Sequence, residues 1–170
     1  MTNNNIYTDN LQELYRELIL DHARAPHNFS KMSDATHSAQ GINPLCGDKL
    51  NIYLNINNKN EIKKISFEGI GCAISIASAS LLTDMMNEKN TNEALKFSDI
   101  FLSYLTGREQ EENPNKKIDI GKLMALGGVK RFPSRVKCAT LSWHALKAAI
   151  NRDDVVSTEE IICLAMQMNQ

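Results

Sequence analysis

The sequence predicts an α+β fold: a small antiparallel sheet of about three strands with helices packed on one face. Three observations carry this expectation. Leu50, Ile52, Leu54 and Ile56 alternate with polar neighbours at a strict period of two. Segments on either side repeat their apolar residues at the three-and-four spacing of a helix face. The order is helix, then strands, then several helices, rather than a βαβ alternation.

The elements follow in turn. A first helix is expected with Asp9 or Asn10 as N-cap, residues 1–8 being frayed. Leu11, Leu14, Tyr15, Leu18 and Ile19 form its apolar face, and it ends near Arg24, because Pro26 pushes the residue before it out of the helical region. A strand is expected around Thr36–Ile42. The alternating strand from Leu50 and a second run, Glu61–Glu68, are joined by Asn57-Asn58-Lys59-Asn60, whose side chains favour a turn, and so form a hairpin ending at Gly69. A helix over Ala73–Met86 and another over about Asn92–Leu105, with a break at Ser98 and a stop at Gly107, come next. Residues 108–117 are densely charged and read as an exposed loop. Pro133 opens a long helix over about Ser134–Ile150. Ser157 and Glu160 form a capping box for a last helix over Thr158–Met168.

The chain has 170 residues, 42% hydrophobic and 23% charged, the composition of a globular domain. It shows no repeat or linker, so residues 1–170 are expected to form one domain with a charged insertion around 107–125. A net charge of −1 argues against nucleic acid as a partner. No apolar run approaches the ~20 residues of a membrane helix. The N-terminal residues carry neither a basic start nor an apolar stretch, so no secretory signal is expected. The expected location is the cytoplasm, where cysteines stay reduced.

Four cysteines then need a role: Cys46, Cys72, Cys138 and Cys163. Cys46 and Asp48 lie in Asn43-Pro44-Leu45-Cys46-Gly47-Asp48, a turn whose i, i+2 spacing lets both side chains converge. Cys72 follows Gly69-Ile70-Gly71 at a strand-to-helix junction, where unpaired N–H groups and the helix dipole favour a thiolate. Cys138 lies about a turn into the Pro133 helix, among Lys130, Arg131, Arg135 and Lys137, whose charges act the same way. Three thiolates and a carboxylate suit tetrahedral zinc. The separations match no common zinc-finger spacing, however. The residues alone therefore leave open a metal site, reactive thiols or unrelated cysteines.

The motifs themselves resemble a known family. Leu14-Tyr15-Arg16-Glu17-Leu18-Ile19-Leu20-Asp21-His22 with Pro26-His27-Asn28, the Cys46 loop, Gly69-Ile70-Gly71-Cys72-Ala73-Ile74-Ser75, and Arg135-Val136-Lys137-Cys138-Ala139-Thr140-Leu141-Ser142-Trp143 are similar to successive motifs of the U-type iron–sulfur cluster assembly family (NifU N-terminal, IscU-like). Lys137 directly before the third cysteine and the long gap after the second resemble its SufU-like branch. One departure is His27, where the family usually has arginine. The resemblance implies a SufE/IscU-like fold and a zinc ion on Cys46, Asp48, Cys72 and Cys138. It also implies sulfur acceptance from a partner cysteine desulfurase, with Cys46 as the acceptor and catalytic residue. Arg135 is expected to hold the loops by pairing with a carboxylate, and Lys137 to face a partner. The alternative is a scaffold that builds a transient [2Fe–2S] cluster and hands it to apo-protein acceptors, and whether the chain acts as an enzyme stays open between the two. A third possibility, a structural zinc module, predicts chemically silent cysteines. His22, Trp143, Met85, Met86 and Cys163 read as packing residues, and His144 lies too far along its helix to join the site.

Overall fold

The computed structural model describes residues 3–108 and 119–161. Its elements are α1 (Asn3–Arg24), β1 (His37–Asn43), β2 (Asp48–Ile56), β3 (Ile62–Ile70), α2 (Ala73–Met86), α3 (Thr91–Thr106), a 3₁₀ helix (Gly121–Arg131), α4 (Pro133–Asn151) and β4 (Val155–Ser157). Residues 109–118, with most of the loop expected at 108–117, and residues 162–170, with Cys163 and most of the helix expected over Thr158–Met168, lie outside the described residues. Among the described residues, no helix is long and apolar enough to cross a membrane.

The sheet order is β3-β2-β1-β4. The first three strands are antiparallel, as the alternation predicts, and Leu50, Ile52 and Leu54 are completely buried on one face. The β2–β3 turn closes as expected: the Asn57 side-chain oxygen accepts from the amides of Lys59 and Glu61, and Asn60 takes a positive φ of 59°. The fourth strand departs from the prediction. Val155–Ser157 pairs parallel to β1, so the sheet is mixed and has four strands among the described residues. Three residues are too few to show a period, and they follow α4 at once through Arg152, which takes a left-handed cap with φ 63°.

Two helices also differ from expectation. α1 begins at Asn3, well before Asp9, because nothing in the polar start breaks a helix. Its Leu11 and Leu14 remain exposed, and only Leu18 and Ile19 reach the core. α3 runs without a break at Ser98, whose hydroxyl donates to the Ala94 carbonyl within the helix. Its start is sharper than the residues around Asn92 suggest, with Asn90 and Glu93 forming a capping box. Part of the charged insertion is apolar inside. Ile120, Leu123 and Ala125 are buried, followed by Leu126 and Val129, all in or beside a 3₁₀ helix whose Gly127-Gly128 pair hides any helical signature.

α4 crosses the apolar face of β1 and β2 and carries the centre of the core. Trp143 is fully buried against Phe101 and Phe97, at ring-centroid distances of 4.7 and 5.9 Å. Its indole N–H donates to Ser78 Oγ, which in turn donates to the Ala139 carbonyl, locking α2 to α4. His22 on α1 is buried and sits 2.7 Å from Ser80 of α2, and Met86 closes the far end of α2.

His144, one residue beyond Trp143, gives the fold an acid-sensitive point. Burial pushes its pKa down to about 4, with Lys147 adding to the shift and Asp99 opposing it. The folded value lies below the unfolded one, so this contribution to stability is complete above pH ~6.5 and is lost as pH falls towards 4. The full effect is about 3 kcal/mol. Urea unfolding across this range should show a steeper acid loss in the wild type than in His144→Gln. Parallel curves would refute the effect, and the difference between the two proteins cancels any loss of metal common to both.

Candidate metal centre

The β1–β2 hairpin is closed by Pro44-Leu45-Cys46-Gly47 between the paired residues Asn43 and Asp48. Gly47 closes it in the left-handed region, at φ 72°, where a side chain is disfavoured. Cys46 is thereby lifted to an exposed tip, while Asp48, the first residue of β2, points inward and is buried. The next strand ends tightly against this loop. A Cβ on Gly69 would stand 2.1 Å from the Lys49 carbonyl oxygen, so only glycine lets β3 pass and turn into α2.

Cys72 is the N-cap residue of α2. Its side chain makes no cap, and its amide donates instead to Asp48 Oδ1 at 2.9 Å. Asp48 Oδ2 accepts from Asn43 Nδ2 at 3.3 Å. Cys138 comes up from below on α4, where Pro133 occupies the first turn as expected, and is completely buried. Its sulfur receives a long hydrogen bond from Asn43 Nδ2 at 3.6 Å and donates to the Ser134 carbonyl at 3.5 Å.

The result is a cluster in which one donor atom each from Cys46, Asp48 and Cys138 lies within 4.8 Å of the other two. Cys72 stands outside that triad but is near enough for its thiol to help raise the pKa of Cys138. Two or three thiols and a carboxylate at the end of a sheet can take a borderline metal in a tetrahedral shell, and the spacing needs only a small contraction to do so.

The electrostatics differ in one respect from the expectation that neighbouring cations keep Cys138 ionised. Burial, followed by hydrogen bonds with Cys46, Asp48 and Cys72, pushes its thiol far above the usual range. The Arg135 pKa is raised, first by a hydrogen bond with Cys138 and then by the charges of Cys72, Cys138 and Cys46. Lys137 points elsewhere and pairs with Glu159 at 2.7 Å. The residue that sequence reasoning passed over is Asn43. It is buried, bridges Asp48 to Cys138, and accepts from Thr158 Oγ1 at 3.2 Å. A polar side chain at an inward position of β1, in phase with Ala39 and Gly41, is the signal that marks it.

The model of the NifU-like N terminal domain matches residues 14–153. The chain belongs to the NifU-like N-terminal domain family. Within this family it is 37% identical over 148 residues to the zinc-dependent sulfurtransferase SufU of Bacillus subtilis, covering 87% of this chain and 97% of that protein. It is 40% identical over 142 residues to the iron–sulfur cluster assembly scaffold protein IscU of Streptococcus pyogenes, covering 84% and 86%. Among solved NifU-like structures, the putative scaffold protein for the SUF system from Fervidobacterium islandicum superposes with a TM-score of 0.70 at 30% identity, covering 79% of this chain and 94% of that one. The SufE/IscU-like α+β fold expected from the motifs is therefore the fold found.

Proposed function

We propose that this NifU-like chain is a single-domain cytoplasmic protein of iron–sulfur cluster assembly that binds zinc through Cys46, Asp48, Cys72 and Cys138. In this reading it takes sulfur from a partner cysteine desulfurase. The observation that carries the proposal is the exposed Cys46 standing directly over the buried Asp48 and Cys138. Zinc, when bound, supplies a redox-inert Lewis acid that keeps its sulfur ligands as thiolates. Because the Cys138 thiol holds its proton tightly in the bare protein, loading the metal releases that proton, and affinity falls as pH falls.

Cys46 is the acceptor. Its thiolate attacks the outer sulfur of the desulfurase persulfide, the new Cys46–S bond forms as the donor S–S bond breaks, and the donor cysteine leaves as a thiolate. The Arg135 guanidinium beside the sulfurs offsets the negative charge gathered there. Leu45 and Ile70, both exposed, lie within two residues of Cys46 and Cys72 and offer an apolar rim for the desulfurase. The relationship to the Bacillus sulfurtransferase supports this reading.

A second reading is favoured by the scaffold relatives: the same thiolates hold a transient [2Fe–2S] cluster as cargo for apo-proteins. Native mass spectrometry after incubation with a cysteine desulfurase and cysteine separates the two. Transfer is expected to appear as retained zinc plus one sulfur atom, lost when a chelator strips the metal. Sulfur acceptance that survives chelation would overturn the role of zinc. Replacement of zinc by an iron–sulfur mass when iron is supplied would favour the scaffold.

A further inference from the structure

A second cluster of ligating side chains lies on the α1–α2 contact, built from residues that the sulfur site does not use. One ligand atom each from His22, His27 and Asp84 lies within 4.8 Å of the other two. His22 comes from the last turn of α1 and is 5% exposed, so the cluster has a buried floor. His27 follows in the connection after α1, and its side chain is 56% exposed; Asp84 on α2 is 32% exposed. The histidine rings lie 4.5 Å apart between centroids, tilted by 51°. His27 Nδ1 and Asp84 Oδ2 are 2.7 Å apart, close to the edge of about 3 Å that ligands at ~2.0–2.1 Å form around a divalent ion.

We propose that His22, His27 and Asp84 form a second metal site on this chain, taking a divalent first-row transition ion whose remaining positions are filled by water. The donor set sets the class. Two imidazoles and one carboxylate suit zinc, cobalt, nickel or ferrous iron, and lack the carboxylate count that calcium or magnesium requires. The surroundings are built for ligation. Ser80 Oγ lies 2.7 Å from His22 Nδ1 and also accepts from the His27 amide at 2.8 Å. With His22 donating from Nδ1 to this oxygen, Nε2 is left as the ligating nitrogen, the arrangement in which a ligand histidine is usually held. In that tautomer one hydroxyl holds the ring of one ligand and the backbone of the next. Asn28, which follows His27, is held to Thr83 of α2 at 3.0 Å, so both arms of the site are tied down before any ion arrives. The exposed side, formed by His27 and Asp84, is the entry path and the place for water ligands.

The test is a cobalt(II) titration of the untagged, metal-free chain under reducing, anaerobic conditions. Two equivalents are expected. One gives the intense thiolate-to-cobalt absorption of the cysteine site. The other adds none, and it shifts the imidazole proton resonances of His22 and His27 while leaving those of His37 and His144 in place. In His27→Arg, whose guanidinium can still pair with Asp84 and keep the helices joined, the second equivalent should vanish and the thiolate band should remain. Asp84→Asn should behave the same way, with an unfolding midpoint confirming that both variants fold. A wild-type chain that takes up only the thiolate-type equivalent, or a second equivalent that survives in His27→Arg, would overturn the proposal. Absence of the thiolate band would count against the cysteine site alone, so the two assignments fail separately.

Discussion

Replacing Cys46 by alanine is expected to abolish sulfur acceptance while leaving the protein folded and still able to hold some metal. The side chain lies at an exposed hairpin tip whose backbone is closed by residues on either side, so the apo-protein should lose no more than about 0.5 kcal/mol. Asp48 and Cys138 stay in place, as does Cys72, whose position depends on its amide bond to Asp48 rather than on Cys46. Three ligands bind more weakly than four, yet sites with three protein ligands are common for zinc, with water completing the shell. The alanine has no sulfur with which to form a persulfide. Mass spectrometry after incubation with desulfurase and cysteine should therefore show zinc at reduced occupancy and no added sulfur. A variant that still gains a sulfur atom would move the acceptor to Cys72 or Cys138. That outcome is chemically awkward for Cys138, which is fully buried.

Asp48→Ala should do the reverse and remove both the metal and part of the framework. The carboxylate is a candidate ligand and also the acceptor for two donors, the Cys72 amide and Asn43 Nδ2. The Cys72 amide loses this acceptor when the side chain is truncated, Asn43 Nδ2 keeps only its long bond to Cys138, and a buried group left unpaired costs about 1–3 kcal/mol. A stability loss of about 2–4 kcal/mol is expected, together with a fall in metal affinity beyond the 10–100-fold typical of outer-shell changes. Denaturant unfolding and metal content per chain measure the two effects. Asp48→Asn keeps one side-chain acceptor for the Cys72 amide, so it should recover much of the stability and little of the metal. If the alanine variant keeps its metal, Asp48 is a structural brace and not a ligand.

The hairpin and the cysteine loops were legible because their signals are local. Alternation along Leu50–Ile56, the asparagine-rich turn at 57–60 and Gly69 at the end of the second run state their geometry within a few residues. The motifs around Cys46, Cys72 and Cys138 could likewise be read one at a time. What could not be read depends on partners far away in the chain. β4 exists because β1 offers a free edge to a three-residue segment, and nothing in Val155-Val156-Ser157 announces it. Asn43 looks like turn punctuation until β1 places it inward between Asp48 and Cys138. Lys137 is one residue from Cys138, but on a helix that means a different direction, and it meets Glu159 instead. Cations near a cysteine in sequence also say little about its proton when the sulfur is fully enclosed, as Cys138 is.

The bridge from Asn43 to both Cys138 and Thr158 bears on how the protein is made. Cys46 and Cys138 are separated by ninety-two residues of chain, and Thr158 lies later still. At ribosomal speeds, the hairpin loop emerges on the order of 5–20 s before its buried sulfur partner exists. During that interval Cys46, Asp48 and Cys72 can assemble only an incomplete, open nest on the hairpin and the start of α2. Metal captured then would be held loosely and exchanged freely. If the site holds metal as proposed, secure loading belongs to the finished polypeptide, after α4 has packed beneath the sheet and β4 has joined β1.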